Sequence, residues 1–227
     1  MRRFICGLVA VSALFTASGQ ADATVLNFGD GSINARPAGV NASAYLAGFG
    51  ITISSLTPGT SLLVFDDRDY YDSTPGNPND HLALQTTSEH NVLAHSGSNT
   101  PGVTFALDFP SLVSAVSFVR PGLIAGPSGI TFPSWSATLY NGLTPIGTVG
   151  QGAFGSFSNV PAAPFSFSGS GNRLLFTSSN SGTAFNAAII DDLTFTPAPE
   201  PSSLALLACG ALGLLIWQKR SARALSR

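Results

Sequence analysis

Along the middle of the chain, short bursts of alternating apolar and small polar residues are separated by Gly, Pro, Asn and Ser. In "GVTFALDF", Val103, Phe105, Leu107 and Phe109 fall on one side of a strand, because successive side chains of extended backbone point to opposite faces. The same two-residue period predicts strands over Thr24–Phe28, Gly50–Ser54, Ser61–Phe65, His81–Thr86, Gly102–Phe109 and Val113–Arg120. It predicts further strands over Trp135–Tyr140, Ile146–Gly150, Ala163–Gly169, Arg173–Ser179 and Ala187–Thr196. Asn141-Gly142 separates two of these as a turn, since both residue types accept positive φ. Hardly any stretch carries the period of a helix. Eleven short strands within residues 24–196 predict an all-β fold of two packed antiparallel sheets, a jelly-roll-like β-sandwich. A solenoid would need a fixed repeat period, and none is present.

The two ends follow a different pattern. Arg2 and Arg3 precede an unbroken apolar run from Phe4 to Phe15, and Ala21 and Ala23 then stand in an A-x-A arrangement. That order predicts a secretory signal peptide over residues 1–23, threaded through the secretion translocon and cut by signal peptidase to leave Thr24 first. At the other end, Leu204 to Trp217 contains no charge. With Ser202, Ser203 and Gln218 this stretch reaches 17 residues, or roughly 25 Å as a helix, the short end of what crosses a bilayer. Lys219, Arg220, Arg223 and Arg227 follow, and such a cationic flank stays on the cytoplasmic side. A single transmembrane helix with the body outside the cytoplasm is the expected result. Pro197, Pro199 and Pro201 hold the preceding segment extended and unpaired.

Charge and cysteine content narrow the body further. Residues 24–196 carry ten acidic and four basic residues (Arg36, Arg68, Arg120, Arg173), a formal charge of −6, with no lysine. Neutralising a phosphate backbone needs the opposite balance, which sets nucleic-acid binding aside. Cys6 and Cys209 are the chain's two cysteines and both lie outside residues 24–196, so no disulfide holds the body together.

In sequence, Pro199-Glu200-Pro201, the short apolar run and the basic cluster form "PEPSSLALLACGALGLLIWQKR", which resembles the PEP-CTERM sorting signal of Gram-negative bacteria. The resemblance covers residues 197–227 and is specific in its order, with Ser203 standing where Thr is commoner. It implies processing by an exosortase and, after transient anchoring in the inner membrane, delivery to the cell surface or extracellular matrix. The pieces "VLNFGDG", "LAGFGITI", "LVFDD", "VTFALDFPSLVSAVSF", "TLYNG" and "IIDDLTFTP" also resemble, in order, domains found upstream of such signals. Those domains look like the β-sandwiches of carbohydrate-binding modules, an analogy of fold that assigns no ligand.

Candidate chemistry concentrates on carboxylates. In "AAIIDDLTFT", plain alternation puts Ile189, Asp191, Leu193 and Phe195 on one face, so Asp191 is expected to point inward. A buried carboxylate is satisfied either by backbone N–H groups and an arginine or by a cation such as calcium. The resemblance to carbohydrate modules implies a structural calcium and would pair Asp191 with Asp30 of "NFGDG". The loop "VFDDRDYYDSTPGNPNDH" gathers Asp66, Asp67, Asp69, Asp72 and Asp80 around Tyr70 and Tyr71. Asp67, Tyr70 and Tyr71 suit sugar stacking and hydroxyl hydrogen bonding, clustered acids suit calcium, and a solvated loop guarding a sheet edge suits the same composition. The spacing departs from the EF-hand pattern.

No residue is assigned a catalytic role. His81, His90 and His95 lack the zinc-binding spacing and are read as loop histidines, and the serines include no nucleophile elbow. A flat ice-binding face would need repeated Thr-x-Thr rows, of which "TFT" at Thr194–Thr196 is the single instance along a strand. Two readings therefore compete: an exported, non-enzymatic surface or matrix protein with weak polysaccharide binding, and a secreted hydrolase of matrix sugars using acids of the Asp66–Asp80 loop. A purely structural spacer is a third.

Overall fold

The strongest apolar alternation in the sequence becomes the longest strand, β7, Val103–Arg120. It merges two strands that the sequence predicts separately. This computed structural model describes residues 22–28, 39–66, 83–85, 91–96, 102–124, 134–153, 159–178 and 188–198. Within β7, Phe105, Leu107, Phe109 and Val113 are buried, and then Val116 and Phe118. The inward set thus passes from odd to even positions, and the slip occurs at Ala115, whose φ is 49°. Opposite it, Thr194 pairs with Ser117 and Thr196 with Ser114, so β7 carries one residue more than its partner. That is a β-bulge, which bends a strand and re-aims its side chains.

The bend lets β7 serve two layers. Its first half pairs antiparallel with β13, Gly171–Ser178, and with β3, Thr52–Ser54. Its second half pairs antiparallel with β14, Ile189–Pro197, and β12, Ala163–Ser166. The first layer continues from β13 to β9, Trp135–Asn141, and β10, Thr144–Gln151. In the second, the other edge of β14 takes β1, Thr24–Leu26, along Leu193–Phe195 and β6, Asn91–Ser96, along Ile189–Ile190. β4, Ser61–Asp66, and β2, Val40–Asn41, follow beyond β6. A separate three-stranded sheet joins β11, Asn159–Val160, β8, Gly122–Ile124, and β5, Ala83–Gln85. The result is an all-β antiparallel sandwich.

Aromatic rings join the layers. Phe118, on the second half of β7, lies 5.4 Å from Phe176 on β13 and 5.8 Å from Trp135 on β9, centroid to centroid. Phe109 and Phe195 meet at 5.0 Å. Each such pair adds about 1 kcal/mol beyond its buried area. Leu26, Leu93, Leu139, Leu174 and Leu193 fill the same cluster.

Two local features depart from expectation. A single-turn helix, α1, spans Ala42–Ala47, with Asn41 Oδ1 accepting from Ser43 N at 2.8 Å and Ala42 and Leu46 buried. Six residues are too few to display a helical period. In the β9–β10 hairpin, Asn141 remains strand and pairs with Thr144, so Gly142-Leu143 makes the turn with Gly142 at φ 59°. Positive φ at the first central position suits a type II′ connection, whose twist matches the flanking strands. Asn172 Oδ1 accepts from Gly142 N at 2.9 Å and ties the tip to β13.

By contact density Ala23–Pro197 is one compact unit. The other, Met1–Asp22 with Ala198–Arg227, contributes only Asp22 and Ala198 to the described residues. Among the described residues no helix is long and apolar enough to cross a membrane, and the 204–217 run lies outside them.

Candidate functional site

Asp191 is fully buried, at 0% exposure, but not on the face that simple alternation assigns it. Ile190 pairs with Leu93 and Ile189 with Ala94, and cross-strand neighbours point the same way. Ile190, Leu93, Leu193 and Phe195 belong to the main core cluster. Ile189 and Asp191 therefore share the opposite side of β14. The phase changes because Asp192 adopts φ 48° and adds a residue to β14 opposite Val119–Ser117. Asp191 Oδ1 accepts from Asp192 N at 2.8 Å, and Thr194 Oγ1 donates to Asp192 O at 3.3 Å. The Asp-Asp pair thus builds a bulge, with a residue type that tolerates the left-handed region.

Asp30, the proposed calcium partner of Asp191, lies outside the described residues. So do Asp67, Tyr70 and Tyr71 of the acidic loop, and Pro199, Glu200 and Pro201 of the sorting motif. β1 does run antiparallel to β14, with Leu26 opposite Leu193. Two residues further on, Phe28 O accepts from the buried Asn91 Nδ2 at 2.8 Å. Among the described residues no three His, Cys, Asp or Glu side chains gather to hold a metal ion.

His81 and His90 also lie outside the described residues, whereas His95 is a strand residue and not the loop histidine expected. It faces the core, opposite Leu62 on β4, at 5% exposure. Its ring stacks on Phe105 at 6.2 Å and 15°. Neither ring nitrogen has a hydrogen-bond partner among the described residues. Burial pushes its pKa down to about 4, so the imidazole is neutral at physiological pH.

Arg120, 3% exposed, is the C-terminal residue of β7. Its Nε donates to Gln151 Oε1 at 2.9 Å, Nη1 to Pro121 O at 2.6 Å and Nη2 to Pro161 O at 2.7 Å. Desolvation lowers its pKa. This guanidinium fastens strand ends together and is spent on structure.

The outward side of the first layer brings together residues that the sequence reading did not single out. Antiparallel register lines up Thr52, Asp108, Arg173, Tyr140 and Pro145 across five strands. The next rank runs Ser54, Ala106, Leu175, Thr138 and Thr148, and the third Thr104, Thr177 and Ser136. Arg173 Nε stands 3.6 Å from Asp108 Oδ1, with the side chains 35% and 30% exposed. Ser54 Oγ donates to Asp108, and Arg173 Nη2 donates to Ser55 Oγ, so the end of β3 and the residue after it bracket the pair. Thr138 and Thr148 share a hydroxyl hydrogen bond at 2.9 Å. The Tyr140 side chain makes neither a hydrogen bond nor a ring contact with any described residue. Each member alternates with core-facing neighbours along its strand, although Ala106 in the middle rank is itself fully buried. The constellation exists only through long-range register, which no local signal in the sequence carries.

Several solved structures are similar in part. CBM32-3 from a family 31 glycoside hydrolase of Clostridium perfringens is 12% identical at a TM-score of 0.33, covering 70% of this chain and 99% of its own. The CBM22-1-CBM22-2 tandem domain of Paenibacillus barcinonensis Xyn10C is 13% identical at 0.37, covering 82% and 49%. The Stig cyclase Fisc of Fischerella sp. TAU is 13% identical at 0.41, covering 78% and 100%. No curated protein matches the sequence. Residues 197–220 match the PEP-CTERM protein-sorting motif, and the chain carries that sorting signal at the end of its β-sandwich.

Proposed function

We propose that this chain is an exported protein of a Gram-negative bacterium, sorted by an exosortase to the cell surface or extracellular matrix, where its body acts without catalysis and binds polysaccharide weakly. The observation that carries this reading is the sorting-motif match at 197–220, which begins at Pro197, the last residue of β14. The signal therefore starts where the sheet ends. The apolar run 204–217 with its basic flank fits a transient anchor, and the Arg-led apolar run before Ala23 fits a cleaved leader delivered through the translocon. His95 is buried in the core, which removes it as an acid–base group for an external substrate.

Mass spectrometry of the protein recovered from its host tests the reading. The expected product begins at Thr24, has lost the basic tail, and fractionates with the envelope or matrix. Recovery of the uncut chain from the cytosol would refute it.

A further inference from the structure

We propose that the outward face of the first layer is the polysaccharide-binding surface, and that its ligand is a neutral, hydroxyl-rich glycan. The inference rests on the polysaccharide reading above and gives it a site and a ligand class. The face is sparing in charge. Across Thr52–Ser54, Val103–Asp108, Trp135–Asn141, Thr144–Gln151 and Gly171–Ser178, the sequence has one acid, Asp108, and one base, Arg173. An ordinary solvated sheet face is studded with Lys and Glu, which also protect edges such as β10. Here hydroxyls take their place: Thr52, Thr104, Ser136, Thr138, Thr148, Thr177 and Tyr140.

The chemistry of the two charges selects the ligand. With Nε beside Asp108 and Nη2 on Ser55, Arg173 keeps Nη1 without a partner among the described residues. A sugar hydroxyl both donates and accepts, so it can take a hydrogen bond from the guanidinium while giving one to the carboxylate. The carboxylate of a uronate or a sulfate group accepts only, and it would have to sit against Asp108 on a body of formal charge −6. In the adjacent strand Tyr140 presents an apolar ring with a polar tip, suited to the C–H face of a pyranose and its hydroxyls. Every member stands on a hydrogen-bonded strand, so little conformational entropy is lost when a ligand docks.

The test is affinity electrophoresis of the full chain in mild detergent, in gels containing a neutral glucan, a neutral galactomannan or the uronate polymer alginate. Retardation by a neutral polymer and not by alginate is expected. Tyr140→Ala and Arg173→Met should each weaken it about tenfold, as central contacts do, while Tyr140→Phe retains most of it. Thermal melts of the variants check that they remain folded. Neutral-glycan binding unaffected by either substitution in folded protein would overturn the site and leave the polysaccharide reading standing. Equal or stronger retention by alginate would overturn the ligand class, and no retention by any polymer would overturn both the inference and the reading beneath it.

Discussion

Acid should weaken this fold through His95. The folded state holds the ring neutral, with burial pushing its pKa from 6.5 to about 4. The unfolded chain still protonates near 6.5. Below that pH the unfolded state binds more protons, so stability must fall as pH drops from about 6.5 to about 4 and then level off with respect to this group. A shift of this size corresponds to about 3 kcal/mol, a sizeable share of the roughly 5–15 kcal/mol of a typical domain. The stacked Phe105 face returns part of the loss by attracting the imidazolium, but a desolvated contact of that kind is worth about 2 kcal/mol, less than the cost of burial. Desolvation wins. The assay is urea unfolding of Ala23–Pro197 at pH 7, 6, 5 and 4, in parallel with His95→Leu. Comparing the two cancels carboxylates that titrate in both. At pH 7 the leucine variant should be at least as stable, because it removes two buried nitrogens that lack partners among the described residues. Its stability should also fall less steeply with acid. Identical pH slopes for the two proteins would refute the argument.

The remaining predictions concern geometry. At Gly171 a Cβ would stand 2.5 Å from Tyr140 O and 2.7 Å from Leu139 Cγ, so Gly171→Ala should cost about 3 kcal/mol in urea unfolding. Ala115 is exposed at φ 49°, so Ala115→Gly should raise stability by up to about 1 kcal/mol by relieving the left-handed strain. Asp191→Asn keeps an acceptor for Asp192 N–H, so a carboxylate held by hydrogen bonds predicts no response of the melting midpoint to calcium or chelator. A midpoint that falls in chelator for the parent protein and not for Asp191→Asn would assign Asp191 to a cation. Truncation after Pro197 should leave the melt unchanged, whereas truncation after Thr194 removes Phe195 from its packing on Phe109 and should cost about 4 kcal/mol.

What the sequence made legible was the part that depends on period alone. Alternation located β7, β9, β13 and β14, and it identified Asp191 as buried, because strands with one core-facing side must alternate. It placed Asp191 on the wrong side of β14 because a one-residue slip at Asp192 leaves no trace in a two-residue period. β7 was divided elsewhere, at the exposed Pro110-Ser111-Leu112, where three successive outward-facing positions interrupt the alternation, and its bend at Ala115 went unmarked. β2, β8 and β11 are two or three residues long and α1 six, too short for any period to accumulate. His95 was misread for another reason: Asn91 to His95 is buried throughout, so "NVLAHS" shows no clean alternation. The ranks of Thr, Ser, Arg and Tyr are set by register between strands far apart in sequence, Thr52 and Arg173 being 121 residues apart. A search for Thr-x-Thr along one strand looks in the perpendicular direction.

The placement of β14 bears on how sorting and folding fit together. β14 is paired on both edges, to β7 on one and to β1 and β6 on the other, and it supplies Ile190, Leu193 and Phe195 to the core. Its last ladder partner is Pro197, opposite Val113. A cut at Pro199–Pro201 would therefore fall two to four residues beyond the final pair and break no described strand pairing. No lysine and no disulfide contributes to the body, so its stability rests on the buried cluster and the Phe118–Phe176–Trp135 contacts between layers. Those interactions do not depend on the segment after β14. The terminal signal is thus separable in physical terms: a protease acting beyond Pro197 cuts in a proline-rich sequence whose prolines offer no N–H to a ladder, while the strand before it remains held on both sides.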